Sequence, residues 1–139
     1  MGFDVNGQTA LVTGANRGIG LAIVKALLAH GVKRVYAAAR DTEKLAQVVA
    51  LDPARVAPIE LDLRNAGQIN AAAETANDVT LVVNNAGILN VASPLDASVF
   101  DALADEMDVN GYGLLRMAQA FVPLLKRNGG GAFVQLNTV

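Results

Sequence analysis

The chain predicts an α/β fold: an open, doubly wound parallel sheet in strand order 3-2-1-4-5 with helices on both faces. Three observations carry that expectation. Short, nearly continuous apolar runs recur at Thr9–Thr13, Arg34–Ala39, Val56–Leu61, Val79–Asn84 and Ala132–Leu136, the pattern of strands buried on both faces. Helical stretches separate them, at Ile19–His30, Thr42–Ala50, Asn65–Ala76 and over a longer region from Asp96 to Lys126. The first run feeds a glycine-rich turn, Thr13-Gly14-Ala15-Asn16-Arg17-Gly18-Ile19-Gly20, which opens the first helix. A strand, a glycine turn and a helix in succession make a phosphate-binding device. The ligand crevice is expected at the carboxyl ends of the strands, where the order reverses between the first and fourth.

The 139 residues suit one domain, and with 53% hydrophobic and 17% charged residues there is ample material for a core. No apolar run approaches the roughly 20 residues needed to cross a bilayer. The stretch from Met1 to Gly7 lacks a basic region followed by an apolar one, and Asn6 stands where a myristoylation motif needs Ser or Thr. Cysteine is absent, which excludes disulfides and thiolate metal sites and suits a cytoplasmic protein. A formal net charge of −2 with mixed signs provides no basic field for nucleic acid, and one histidine with no cluster of ligand types gives no metal site.

Element boundaries follow from local chemistry. In the glycine turn, Gly14 allows a sharp bend at positive φ, while Gly18 and Gly20 let a ligand and the neighbouring strand approach the backbone. Gly31 after His30 is the C-cap of the first helix, with His30 favourably near the negative end of the dipole. Asp41 or Thr42 N-caps the second helix, and Pro53 marks a turn after it. Asn65 is the N-cap of the third helix. The cluster Ala71–Ala73 is good helix material, and Asn128-Gly129-Gly130-Gly131 ends the long helix before the last strand.

Chemistry is concentrated at the strand ends. Arg17 lies in the glycine turn, and Arg40 follows the second strand at the position that faces an adenosine ribose in a dinucleotide fold. An acid there accepts the ribose hydroxyls of NAD, whereas arginine pairs with the 2′-phosphate of NADP. The first acid, Asp41, comes one step late, so the expected cofactor is NADP, with NAD the weaker alternative. Asp62, in Glu60-Leu61-Asp62-Leu63, can accept a hydrogen bond from an adenine amino group or cap a turn. After the fourth strand, Asn84-Asn85 can bind neighbouring strands, while Ala86-Gly87 keep the backbone open beside a ligand.

Together these pieces resemble the short-chain dehydrogenase/reductase family. The turn Thr13–Gly20, Asp62-Leu63, Asn84-Asn85-Ala86-Gly87 and Val109-Asn110-Gly111-Tyr112-Gly113 occur in family order and spacing across essentially the whole chain. The resemblance implies a Rossmann-type fold with Gly14, Asn16, Arg17, Gly18, Ile19, Gly20, Arg40, Asp62, Leu63, Asn85, Ala86 and Gly87 at the cofactor. It implies that Asn110 is the structural member of the catalytic set, at a bend in a long helix where it helps hold a proton-relay water. The activity implied is hydride transfer between NADP(H) and a small-molecule carbonyl or alcohol substrate. A tyrosine with a lowered pKa exchanges the proton, and a serine after the fifth strand bonds the substrate oxygen.

Two departures qualify the resemblance. The serine position falls on Thr138, which keeps the hydroxyl but adds a methyl and a stiffer χ1. The family's Tyr-x-x-x-Lys, its later strands and its subunit-pairing helix are not among these 139 residues. Tyr36 and Tyr112 are each followed four residues on by arginine (Arg40 and Arg116), a poor proton-relay group, and Tyr112 belongs to the Asn110 motif. Two functional readings stay open: the amino-terminal part of an NADP-dependent oxidoreductase, or a catalytically incomplete NADP-binding fragment without turnover. A scaffold without ligand would require every glycine and arginine placement to be incidental. The fifth strand as a bare sheet edge, bearing Phe133, Val134 and Leu136, predicts a homo-oligomer formed through that edge or through the helix Tyr112–Lys126.

Overall fold

The computed structural model describes residues 2–137, so the expectation for Thr138 lies outside the described residues. Five parallel strands form one sheet in the order β3-β2-β1-β4-β5. They are β1 (Thr9–Thr13), β2 (Arg34–Ala39), β3 (Val56–Glu60), β4 (Leu81–Asn84) and β5 (Ala132–Gln135). In the central register Leu11 lies between Tyr36 of β2 and Val82 of β4. This is the expected doubly wound, Rossmann-type topology, with the strand-order reversal between β1 and β4.

The continuous apolar runs divide by alternate residues between the two faces, as the pleat requires. Ala10, Val12, Val35, Ala37, Leu81 and Val83 face one core, where Val24 and Leu27 of α1 (Gly18–Ala29) and Val48 of α2 (Ala46–Val49) cover them. Leu11, Tyr36, Ala38 and Val82 face the other. That side is closed by Ile69 and Ala72 of α3 (Ala66–Thr75) and by Met117, Phe121 and Leu124 of α5 (Gly113–Arg127). Phe121 and Leu11 are fully buried.

Caps fall where side-chain chemistry puts them. Asn65 Oδ1 accepts from Gln68 N at 3.1 Å at the start of α3. Asp41 Oδ1 accepts from Glu43 N at 3.0 Å, which settles the alternative between Asp41 and Thr42. Two helices end in the six-to-one pattern of a Schellman motif: Val32 N bonds Leu27 O at 3.1 Å after α1, and Gly130 N bonds Leu125 O at 2.8 Å after α5. His30 Nδ1 also donates to Ala26 O at 2.8 Å, so the ring serves the helix end.

Three elements differ from expectation. The second helical stretch is a 3-10 turn (Thr42–Leu45) followed by the single turn α2, with Leu45 and Val48 buried and Val49 packed against the same core. The fourth strand starts at Leu81; Thr80 before it still bonds both neighbouring strands, its N–H donating to Thr9 O at 2.9 Å and its carbonyl accepting from Ala132 N at 3.0 Å. The long helical region divides into α4 (Val99–Glu106), a π-helical segment (Met107–Tyr112) and α5. Widening to the π form changes which backbone groups are paired, and Arg116 Nη1 donates to the Asp108 carbonyl there at 3.2 Å.

Candidate functional site

At the carboxyl ends of β1 and β4 a polar knot joins the strands. Thr13 is 1% exposed, and its Oγ1 donates to Asn84 Oδ1 at 3.0 Å. The same oxygen accepts from the backbone N–H groups of Asn85 at 3.0 Å and Ala86 at 2.9 Å. A hydroxyl has one proton and two lone pairs, so this one is fully used. Because Thr13 already accepts twice, Asn84 must present its carbonyl, which turns its amide Nδ2 to Gln135 Oε1 at 2.6 Å. Gln135 Nε2 then donates to Leu136 O at 2.8 Å. The knot therefore runs in one direction from β1 through β4 to β5.

The glycine turn is seated on this knot. Asn85 Nδ2 donates to the carbonyls of Thr13 at 3.2 Å and Gly14 at 3.3 Å. Gly14 and Gly18 have φ of +62° and +56°, a region costly for residues with a Cβ. Around Gly18 the space is open, so a ligand can meet bare backbone there. Gly20 is different: it is buried beneath the turn, and a Cβ there would lie 2.0 Å from Gly14 O. Its role is packing between turn and helix, and it does not line the cleft.

The start of α1 is open to an anion. Arg17 occupies the N-cap with extended backbone, makes no side-chain cap, and no acid stands in the first turn. The unpaired N–H groups and the positive end of the dipole are thus left for an external acceptor. Beside them lies a cleft of about 310 Å³ lined by Gly14, Asn16, Arg17, Gly18, Ile19, Arg40, Asp62, Leu63, Asn85, Ala86 and Gly87, with Ile88 and Val109. Every sequence-predicted cofactor residue except Gly20 is in that lining. A side recess continues from it between Arg17, Arg40, Asp41 and Lys44. Among the described residues neither the Arg17 nor the Arg40 guanidinium is in an ion pair. Asp41 also borders the recess, with Oδ1 accepting from Glu43 N.

Asp62 takes the turn-capping form of its two readings: Oδ1 accepts from Arg64 N at 3.0 Å and Arg64 Nε at 3.2 Å. Burial pushes its carboxyl up, but the Arg64 N–H and guanidinium together with the charge of Arg40 outweigh this, leaving it below the usual carboxylate range. Its side chain still borders the cleft, so the two readings do not exclude one another.

Asn110 lies on the π-helical segment, and its amide clamps one backbone unit of the loop after β4. Oδ1 accepts from Ile88 N at 2.9 Å and Nδ2 donates to Ile88 O at 2.8 Å. Ala39, Leu61, Arg64, Ile88 and Val109 line the cleft without having been assigned there from sequence. Arg116 joins the same region, donating to Leu63 O at 3.0 Å and pairing with Asp108 at 2.7 Å. Among the described residues no group of His, Asp and Glu is placed to hold a metal, and no helix is long and apolar enough to cross a membrane.

A doubly wound sheet with a glycine turn and an open helix N-terminus at its switch point defines a domain of the Rossmann class. The chain belongs to the short chain dehydrogenase family, whose sequence model matches residues 8–139. It is 36% identical to human 17-beta-hydroxysteroid dehydrogenase type 1 over 93% of this chain and 42% of that protein. It is 32% identical to the oxidoreductase BOA17 of Botryotinia fuckeliana over 92% of this chain and 48% of that one. The chain thus spans about half the length of such relatives. A short chain dehydrogenase from Burkholderia cenocepacia J2315, solved in complex with NADP, superposes with a TM-score of 0.87 at 43% identity. That match covers 96% of this chain and 54% of the other.

Proposed function

We propose that this chain is the cofactor-binding part of an NADP(H)-dependent oxidoreductase that reduces a carbonyl or oxidises an alcohol. The observation that carries the cofactor choice is the recess in which three cations, Arg17, Arg40 and Lys44, face a single carboxylate, Asp41. Two guanidiniums without carboxylate partners beside an uncapped helix start suit a phosphate ester better than ribose hydroxyls. The complex of the Burkholderia protein with NADP supports the same choice. In this reading the glycine turn and the start of α1 hold the pyrophosphate, Asp62 and Leu63 border the adenine, and Asn85 to Ile88 border the nicotinamide side.

When bound, the cofactor supplies or accepts hydride. The chain's own part in the chemistry is positional. Asn110 fixes the backbone of Ile88, and Thr138 is proposed to bond the substrate oxygen in place of the family's serine. The 139 residues contain no Tyr-x-x-x-Lys, which favours a second reading for this polypeptide by itself: NADPH binding without turnover.

The test is a calorimetric titration of NADPH and NADH into the wild type and Arg40→Ala. Bonds to charged groups contribute about 1.5–3 kcal/mol each, roughly ten- to hundredfold in affinity. NADPH is expected to bind at least about tenfold tighter than NADH, and Arg40→Ala is expected to remove most of that preference. Equal affinities in the wild type would overturn the NADP assignment.

A further inference from the structure

The two oxygens of the Asp62 carboxylate are held unequally. Oδ1 carries both the Arg64 N–H and Nε contacts, whereas Oδ2 has a single long contact, 3.4 Å, with Arg64 Nη2. Behind it, Asp62 N donates to Gln68 Oε1 at 2.8 Å, so the backbone that carries the carboxylate is held as well. Arg64 does not end there. Its Nη1 reaches Asp105 Oδ1 on α4 at 3.0 Å. The other oxygen of Asp105 accepts from Asn90 Nδ2 at 3.1 Å, in the loop after β4. One guanidinium therefore spans two carboxylates on two elements, a forked geometry that an ammonium cannot reproduce.

We propose that Arg64 is a specificity-positioning residue for a purine base: anchored on Asp105, it locks Asp62 so that Oδ2 faces an exocyclic amine in the cleft. This rests on the dinucleotide reading above. An ionised carboxylate only accepts hydrogen bonds. An amine at the purine 6-position satisfies it; a purine without that amine leaves this oxygen without a donor from the ligand. The Arg64 contacts keep the carboxyl below its usual range, so it remains an acceptor at neutral pH. Asp62 supplies the contact, and Arg64 supplies its direction.

The test compares NADPH with its analogue carrying unsubstituted purine in place of adenine, which differs only by hydrogen for amine at that position. Both are titrated calorimetrically into the wild type, Arg64→Met and Asp105→Asn, with folding checked by circular dichroism and thermal melts. The wild type is expected to favour NADPH by about tenfold or more, the worth of one hydrogen bond to a charged group. Arg64→Met is expected to reduce that ratio to about twofold, and Asp105→Asn to an intermediate value. A purely structural contribution would weaken both ligands by the same factor and leave the ratio intact, and that result overturns the proposal. If Arg64→Met does not fold, the ratio in Asp105→Asn decides, and an unchanged ratio there is equally fatal. A wild type that binds both ligands equally refutes the base selection alone. One that binds neither refutes the dinucleotide reading and the proposal with it.

Discussion

Replacing Thr13 by valine tests whether the polar knot at the strand ends holds this fold together. Valine matches threonine in shape and suits a strand, so the exchange removes the hydroxyl with little change in packing. Three groups lose their partner: Asn84 Oδ1 and the N–H groups of Asn85 and Ala86. Asn84 is 1% exposed, so its oxygen has no route to water without local opening. A buried polar group left unpaired costs about 1–3 kcal/mol. The two N–H groups are only part-buried, which places each loss toward the low end and the total at about 3 kcal/mol. For a chain of this size that is a fall in Tm of roughly 10 °C.

Thr13→Ser is the matched control, because it keeps the hydroxyl and gives up one methyl, about 1 kcal/mol. Thermal melts and urea titrations of the three proteins should therefore rank wild type, serine, then valine, with the larger gap before valine. Hydrogen exchange adds a local readout, since the Asn85 and Ala86 amides should lose protection in the valine variant and keep it in the serine one. If valine melts within about 2 °C of serine, the hydroxyl is not the hub that its contacts indicate.

Three further outcomes are expected. Asn110→Ala removes both bonds to Ile88, so the Ile88 amide should exchange faster by roughly tenfold, at about 1–1.5 kcal/mol of lost clamping; unchanged exchange would show that the loop is held by other contacts. Asp62 has a folded-state pKa below its ordinary value, so its stabilising contribution is present above the unfolded pKa and is lost as pH falls through the folded one. Asp62→Asn should therefore flatten the acid limb of the stability profile below about pH 4, and parallel limbs for the two proteins would contradict the sign. For this 139-residue polypeptide by itself, sedimentation velocity at tens of micromolar tests the proposed self-association through β5, where Val134 is 43% exposed; Val134→Lys should weaken it, and a monodisperse wild-type monomer would refute it.

The fold was legible because its signals are local and repeated. Each buried strand is apolar on both faces, each crossover is long enough for a helix, and right-handed connection leaves few topologies. Asn65 could be placed as a cap from residue type alone, and the next cap narrowed to Asp41 or Thr42, since a short polar side chain beside its own backbone has few better partners. The start of β4 was less legible for the opposite reason. Val79 and Thr80 are as strand-like as the residues after them, and Thr80 still bonds Thr9 O and Ala132 N, so nothing in residue type marks Leu81 as the first strand residue.

The site divides in the same way. The glycine turn, Arg17, Arg40 and the Asn84-Asn85 pair are contiguous motifs whose spacing carries their meaning, and all of them gather at one switch point. What stayed hidden depends on partners far apart in sequence. Arg64 gains its significance only when Asp105 arrives from α4, 41 residues away, and Arg116 only when Leu63 O comes within 3.0 Å of it. Gly20 was grouped with the ligand-facing glycines because the motif supplies spacing without direction; the 2.0 Å between Gly14 O and a Cβ at Gly20 shows that it faces the turn. The π-helical segment follows the same logic. Nothing in Met107–Tyr112 demands a wide turn by propensity, but Asn110 must reach Ile88 while Arg116 caps the Asp108 carbonyl. A regular helix places residues six apart about 600° around its axis and fixes their relation, whereas a widened turn shifts it. The π form coexists with both contacts, and the one to Ile88 exists only in the assembled fold.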